Sequence, residues 1–184
     1  MAALWRRIRT KLGMPAALPA SDPASEIAAE APPAADWMAT ALASYSYRAD
    51  FSLASLREID RFFDENAPGG KPIRDALLGE DLPRRLFGLG AYTGEVIRRR
   101  CGGLWTGNDA DPEAPFNLAL RLQQGSTIWP MQRMMKRLTN GPEDSVYFYG
   151  YVAVREARRQ SALRHFWAAV EWIGRRPCVF RRRQ

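Results

Sequence analysis

Apolar and polar positions alternate along this chain in two registers, a helical one over most of its length and a strand-like one in the middle. Leu53, Leu56, Ile59 and Phe63 recur at intervals of three and four, with Phe62 widening the stripe. That spacing places them on one face of a helix. Ser52 stands where an N-cap belongs, and Pro68-Gly69-Gly70 ends the segment. Upstream, Asp36 caps a second predicted helix through about Ser46, in which Trp37, Ala41 and Tyr45 are four apart. Downstream, Pro72 suits the first turn of a short helix ending at Gly79.

The segment from Asp81 to Gly103 is the most informative. Asp81 caps it, Pro83 lies in its first turn, and Gly102-Gly103 stops it. Arg98, Arg99 and Arg100 meet the negative end of the helix dipole. Leu86, Leu89, Thr93, Val96 and Ile97 form one apolar face, and Phe87, Ala91 and Gly94 form a second. Two apolar faces predict a buried central helix. Glycine costs about 1 kcal/mol in a helix interior. Gly88, Gly90 and Gly94 therefore imply neighbouring elements that approach the backbone closely.

Strand signals follow. Leu104-Trp105-Thr106 is short and is followed by a polar loop, Gly107 to Pro115. From Phe116 to Leu122 the pattern alternates, with Phe116, Leu118, Leu120 and Leu122 on one side. Gln123-Gln124-Gly125 turns the chain into Ser126–Trp129, so 116–129 reads as a hairpin. Pro130 then opens a helix that buries Met131, Met134, Met135 and Leu138 and closes at Asn140-Gly141. Val146 to Val154 has strand composition. Pro142-Glu143-Asp144 nevertheless resembles a helical first turn, so a helix starting near Pro142 is favoured. A last amphipathic helix covers about Ser161–Ile173, burying Leu163, Phe166, Trp167 and Val170.

These elements predict an α+β fold, a mostly helical single domain with a buried central helix and a small antiparallel sheet. The domain is expected over 36–174. Before it, residues 1–35 read as a basic amphipathic arm followed by a linker rich in Ala and Pro. After it, 175–184 reads as a basic tail. In the arm, Leu4, Ile8 and Leu12 fall on one side of a short helix with Trp5 beside them, and the other side is basic, as in interfacial helices. A frayed basic arm is the plainer alternative.

Charge sharpens this division. The net charge of +7 combines +4 over residues 1–12, +7 over 155–184 and −4 over the rest. Excess positive charge at the ends suits a polyanionic partner. Arginine outnumbers lysine 24 to 3, however, so codon bias in a GC-rich genome is an equally simple source. No stretch approaches the roughly 20 apolar residues of a membrane span. Arg6, Arg7 and Arg9 interrupt any apolar leader. Cys101 and Cys178 are read as free thiols in a reducing cytoplasm, with Cys101 buried.

Two stretches, Gly90–Trp105 (GAYTGEVIRRRCGGLW) and Ile128–Tyr149 (IWPMQRMMKRLTNGPEDSVYFY), carry a resemblance. The matching residues are Gly90, Ala91, Tyr92, Gly94, Glu95, Val96, Gly103 and Trp105. With them go Lys136, Arg137, Leu138, Asn140, Gly141, Glu143, Asp144 and Ser145. Over roughly residues 50–150 the chain resembles a family of small bacterial proteins built on a domain of unknown function. The resemblance implies a cytosolic accessory protein with an α+β core. It implies no activity, cofactor or catalytic residue.

A search for chemistry finds little. The sole histidine, His165, has Arg164 beside it and no acid to orient it as a base. One His and two distant Cys build no zinc site alone. Phosphate-loop and nucleophile-elbow motifs are absent. Asp109, Asp111 and Glu113 are oxygen donors for a hard cation, but a solvated loop explains them as well. Glu95, within the central helix, is the best candidate for something unusual. It stands four residues before Arg99, and Tyr92 and Trp105 complete a candidate binding pocket; a structural ion pair is the plainer reading. The aromatic run Tyr147, Phe148, Tyr149 and Tyr151, near Trp129, can serve as an interface or as core.

The expected function is therefore that of a non-catalytic bacterial accessory protein, binding another protein as an adaptor or immunity-type domain. No cofactor is expected. The alternative is nucleic-acid or anionic-membrane binding through Trp5, Arg6, Arg7 and Arg9 at one end and Arg181, Arg182 and Arg183 at the other. The cytoplasm is the expected location, with the inner-membrane surface as the alternative.

Overall fold

The computed structural model describes residues 24–174 apart from 75, 80 and 111–113, and the side chains of 114 and 164–174 lie outside that description. The chain is α+β and mostly helical, with a small three-stranded antiparallel sheet. Its helices are α1 (Glu26–Ser44), α2 (Leu56–Asn66), α3 (Leu82–Cys101), α4 (Ala114–Asn117), α5 (Pro130–Asn140) and α6 (Val146–Gly174). Its strands are β1 (Gly103–Thr106), β2 (Ala119–Leu122) and β3 (Thr127–Ile128).

Helix α3 is the axis of the core. Every residue from Gly88 to Ile97 is buried, and α1, α5 and α6 all pack on it. Asp81 caps it through the Arg84 amide, and Gly102, at φ 65°, ends it. Its glycines are close-approach positions. A Cβ at Gly88 would meet Met38 and Trp37 of α1, and one at Gly90 would lie 2.9 Å from the Met131 Cα of α5. One at Gly94 would lie 2.1 Å from the Trp105 ring.

Helix α1 corrects the expected linker. Residues 26–35 are helical and continuous with 36–44, so Asp36 lies inside a helix and caps nothing. The cap is Ser25, whose hydroxyl accepts from the Ala28 amide. Asp109, reaching across from the loop after β1, accepts from Ser25 Oγ and from the amides of Glu26 and Ile27 at 2.8–3.1 Å. Pro32 and Pro33 sit inside this helix, where each removes an amide donor and disfavours the helix. Packing overrides them, because Ala28, Ala31, Ala35, Met38 and Leu42 are all buried at alternating spacings of three and four. The expected stripe of Trp37, Ala41 and Tyr45 is the flank of that face; Tyr45 is exposed.

The sheet is also shorter than expected. Phe116 belongs to α4, where Pro115 suits a helical first turn, and the strand begins only at Ala119. β1 pairs with β2 in the register Gly103↔Leu122 to Thr106↔Ala119, and β2 pairs with β3 through Leu120↔Ile128 and Arg121↔Thr127. The described residues of 72–79 form turns closed by Ala76 N–Ile73 O and Gly79 N–Ala76 O hydrogen bonds, not a helix. They bring Leu78 into the core.

Residues 146–154 are helical. A 3-10 turn over Gly141–Asp144 precedes α6, which runs without a break through the two helices expected there. The arm, most of the linker, Cys178 and the tail lie outside the described residues. So do Trp5, Arg6, Arg7, Arg9, Arg181, Arg182 and Arg183.

Candidate functional site

Glu95 comes from the middle of α3 and its side chain is 1% exposed. A buried carboxylate needs partners for its charge and its lone pairs. Arg98 supplies two, Nε to Oε1 at 2.6 Å and a terminal nitrogen to Oε2 at 2.9 Å. Trp105 of β1 donates its indole N–H to Oε1 at 2.9 Å. Arg99, the expected partner, stands farther off at 3.6 Å. Arg98 rather than Arg99 is therefore the principal counterion, because its fork meets both carboxylate oxygens. Burial pushes the Glu95 carboxyl up, but the bonds from Arg98 and Trp105 and the charges of Arg98 and Arg99 outweigh it. The net shift is downward, which keeps Glu95 ionised and unsuited to accept a proton at neutral pH.

Tyr92 does not join Glu95 and Trp105 in a pocket. It faces the turn before α2, where its hydroxyl lies 2.6 Å from Ser55 Oγ and accepts from the Phe51 amide at 3.1 Å. Phe51 has φ 55°, an uncommon conformation for a residue with a side chain. Arg100 donates to its carbonyl at 2.8 Å, and the Arg99 guanidinium lies 3.5 Å from its ring centroid. Arg99 also reaches Asp36 of α1 at 3.4 Å. The four candidate residues thus tie α3 to β1, to α1 and to the turn at Phe51.

The second of the two stretches, Ile128–Tyr149, makes a similar knot with α2. Asp60 of α2 accepts from the amides of Val146 and Tyr147 at 2.8 and 3.0 Å and from Ser145 Oγ at 2.8 Å. It is the N-terminal cap of α6, supplied from another helix, where a carboxylate also meets the positive end of the dipole. Arg137, 3% exposed, binds Asp60 at 3.0 Å and Asp64 at 2.6 Å. Nearby, Asp144 pairs with Arg133 and accepts from Asn140. The Arg133 guanidinium lies over the Tyr149 ring at 4.5 Å. Burial pushes the Tyr149 hydroxyl up to about 12, so it stays protonated at neutral pH. Neither Asp60 nor Asp109 stood out in the sequence as a trans cap, because each acts on a helix more than 80 residues away.

Other candidates are settled more simply. Burial pushes the Cys101 thiol up against the charges of Arg158 and Arg100, which leaves it a thiol. Among the described residues, no group of three His, Cys, Asp or Glu side chains is placed to hold a metal ion. Asp111, Glu113 and the side chain of His165 lie outside them. A cavity of about 230 Å³ opens between α1, α3 and α4, lined mainly by Ile27, Phe87, Pro115 and Phe116. Glu30 and Arg84 also line it, and Arg84 stacks on Trp37 at 4.5 Å.

The outer face of α6 is different. The helix buries Val146, Gly150, Val154 and Ala157 against the core, and a Cβ at Gly150 would lie 2.3 Å from Leu56 Cδ1. Opposite that face, positions 148, 152, 155, 159 and 163 share one side. Phe148 is 63% exposed, Leu163 47%, Val152 43% and neighbouring Tyr151 40%. Four of the seven exposed large hydrophobic residues among the described residues therefore lie on this one surface. Arg155, Arg158 and Arg159 are exposed among them. Of the aromatic run, Tyr147 and Tyr149 are half-buried, while Phe148 and Tyr151 reach solvent.

By fold, the chain is a helical α+β domain organised on a buried central helix. Comparison with protein-family models, with curated proteins and with solved structures gives no match. Among the described residues, no helix is long and apolar enough to cross a membrane.

Proposed function

We propose that the protein is a non-catalytic, cytosolic accessory domain of the adaptor or immunity type, and that it binds another protein through the outer face of α6. The observation that carries this reading is the row of Phe148, Tyr151 and Val152 held in solvent on a helix whose other face is locked into the core. Single exposed apolar residues are ordinary, but a contiguous set on a rigid element is a feature of interaction sites. Aromatic residues and arginine are also the types enriched at interface hot spots. Glu95 and Asp109, the described acids that first suggested chemistry, are engaged in holding the fold together.

The test is capture from native host lysate with the full chain and with Phe148→Glu/Val152→Glu. Both positions face solvent, so the double variant should melt as the wild type does. Wild type should retain a stoichiometric protein at high salt, and the double variant should lose it. Tyr45→Glu, at an exposed position that caps the C-terminal end of α1, should retain it. Equal capture by the double variant would refute the surface. Capture of nucleic acid or lipid alone, abolished by salt, would move the function to the polyanion reading.

A further inference from the structure

The outer face of α6 has an internal order. Phe148 and Val152 come first, then Arg155 and Arg159, then Leu163, with Tyr151 and Arg158 along one edge. From 148 to 163 the face is about 22 Å long at 1.5 Å per residue. Among the described side chains of α6, one acid, Glu156, stands against these three arginines, and that acid is already used. It accepts from Arg159 at 2.8 and 3.0 Å and from Gln160 at 2.9 Å. These bonds hold its carboxyl down to about 2. Arg155 and Arg158 form no ion pair within the described residues, although the charge of Arg155 also helps hold the Glu156 carboxyl down. The described centre of the face is thus net positive, and its ends are apolar.

Resting on the reading that this face binds a protein, we infer that its occupant is a single amphipathic helix of the partner, apolar at its two ends and acidic in the middle. Its apolar residues meet Phe148 and Val152 at one end and Leu163 at the other. Its carboxylates, one or two turns in from each end, meet Arg155 and Arg158. A helix fits because the face is itself built on spacings of three and four, which an opposing helix matches. A strand has nothing to pair with, since the amides and carbonyls of α6 are used within the helix and strand addition needs a free sheet edge. Single-stranded nucleic acid would use stacking platforms. Val152 and Leu163 have no ring, and Tyr151 already stacks on Tyr147 at 6.3 Å. A second copy of this chain would bring two positive centres together.

Site-specific photo-crosslinking tests this. Benzoylphenylalanine replaces Phe148, Arg155 or, as a control, Leu104, an exposed residue on β1, in the full chain. Each protein is irradiated in native host lysate and the crosslinked peptides are sequenced. Positions 148 and 155 should mark one partner segment of helical pattern, with an apolar residue at the first contact and Asp or Glu within a turn of the second. Position 104 should not mark it. Arg155→Glu/Arg158→Glu should weaken capture of that partner by about tenfold, and added salt should weaken it too. Crosslinks from 148 and 155 to a second copy or to a protein segment without acids would overturn this inference and leave the protein-binding surface standing. Crosslinks to nucleic acid, or crosslinking at 148 and 155 no stronger than at 104, would overturn both.

Discussion

The indole of Trp105 lies against Gly94 and donates its N–H to Glu95, so two successive residues of α3 together seat one residue of β1. Glycine gives the ring room, and the carboxylate next to it fixes the ring's orientation. This pairing explains why a glycine and an acid stand side by side within a buried helix. It also ranks the glycines of α3 by how much a side chain would cost.

Gly94→Ala should be destabilising by about 1–3 kcal/mol, because a Cβ there overlaps an aromatic ring that cannot rotate away. Gly88→Ala should cost less than Gly94→Ala. A Cβ there would meet the end of the flexible Met38 side chain at 2.7 Å and the Trp37 ring at 3.0 Å, and up to about 1 kcal/mol of helix propensity offsets part of that crowding. Urea midpoints of the two variants check the contrast. A similar loss in both would mean that close approach to Trp105 is not the cause.

Glu95→Gln should cost about 2 kcal/mol at pH 7, as expected for hydrogen bonds to a charged acceptor. Since the Glu95 carboxyl is held below its ordinary value of 4.5, the unfolded chain takes up the proton first as pH falls. The stabilisation is present above about pH 4.5 and is lost as pH drops through the lower value of the folded state. The gap between wild type and variant should therefore narrow on acidification. Denaturation at pH 7 and pH 3.5 measures it, and a constant gap would contradict the assignment.

Asp60 and Arg137 should behave as a coupled pair. Asp60→Ala strips the cap from α6 and leaves a buried guanidinium with one counterion fewer, at a cost of about 3 kcal/mol. Arg137→Met removes the charge but leaves Asp60 bonded to the α6 amides, so it should cost less. In a double-mutant cycle the coupling should reach about 1–3 kcal/mol. Additive effects would show that the two act separately.

A chain beginning at Asp36 should be less stable than one beginning at Ala24. It lacks the buried methyl groups of Ala28, Ala31 and Ala35, worth about 2 kcal/mol together, and it leaves Asp109 without the amides it caps. Thermal melts of the two chains decide it. Equal melting temperatures would mean that 24–35 adds nothing to the domain.

Much of this architecture was legible in the chain itself. The double apolar face and capped ends of 81–103 determine a central helix, since no other arrangement buries both faces. The glycines within it implied close neighbours, and Met38, Met131 and Trp105 are those neighbours. The period of three and four over 53–63 and over 130–140 likewise specified which sides turn inward.

What tertiary structure decided was which local preference would yield. Pro32, Pro33 and a run of alanines read locally as linker, yet the small side chains of Ala28, Ala31 and Ala35 let α1 lie close along α3. That burial outweighs the two missing amide donors. Glu95 has Arg98 three and Arg99 four residues beyond it, both within reach along a helix, and only the folded structure shows that Arg98 takes both oxygens while Trp105 of β1 shares one. Asp60 and Asp109 cap helices far from them in the chain, which no local pattern encodes. The outer face of α6 was hidden for the same reason: a run of aromatic residues states what can be buried, and only packing determines which of them stays in water.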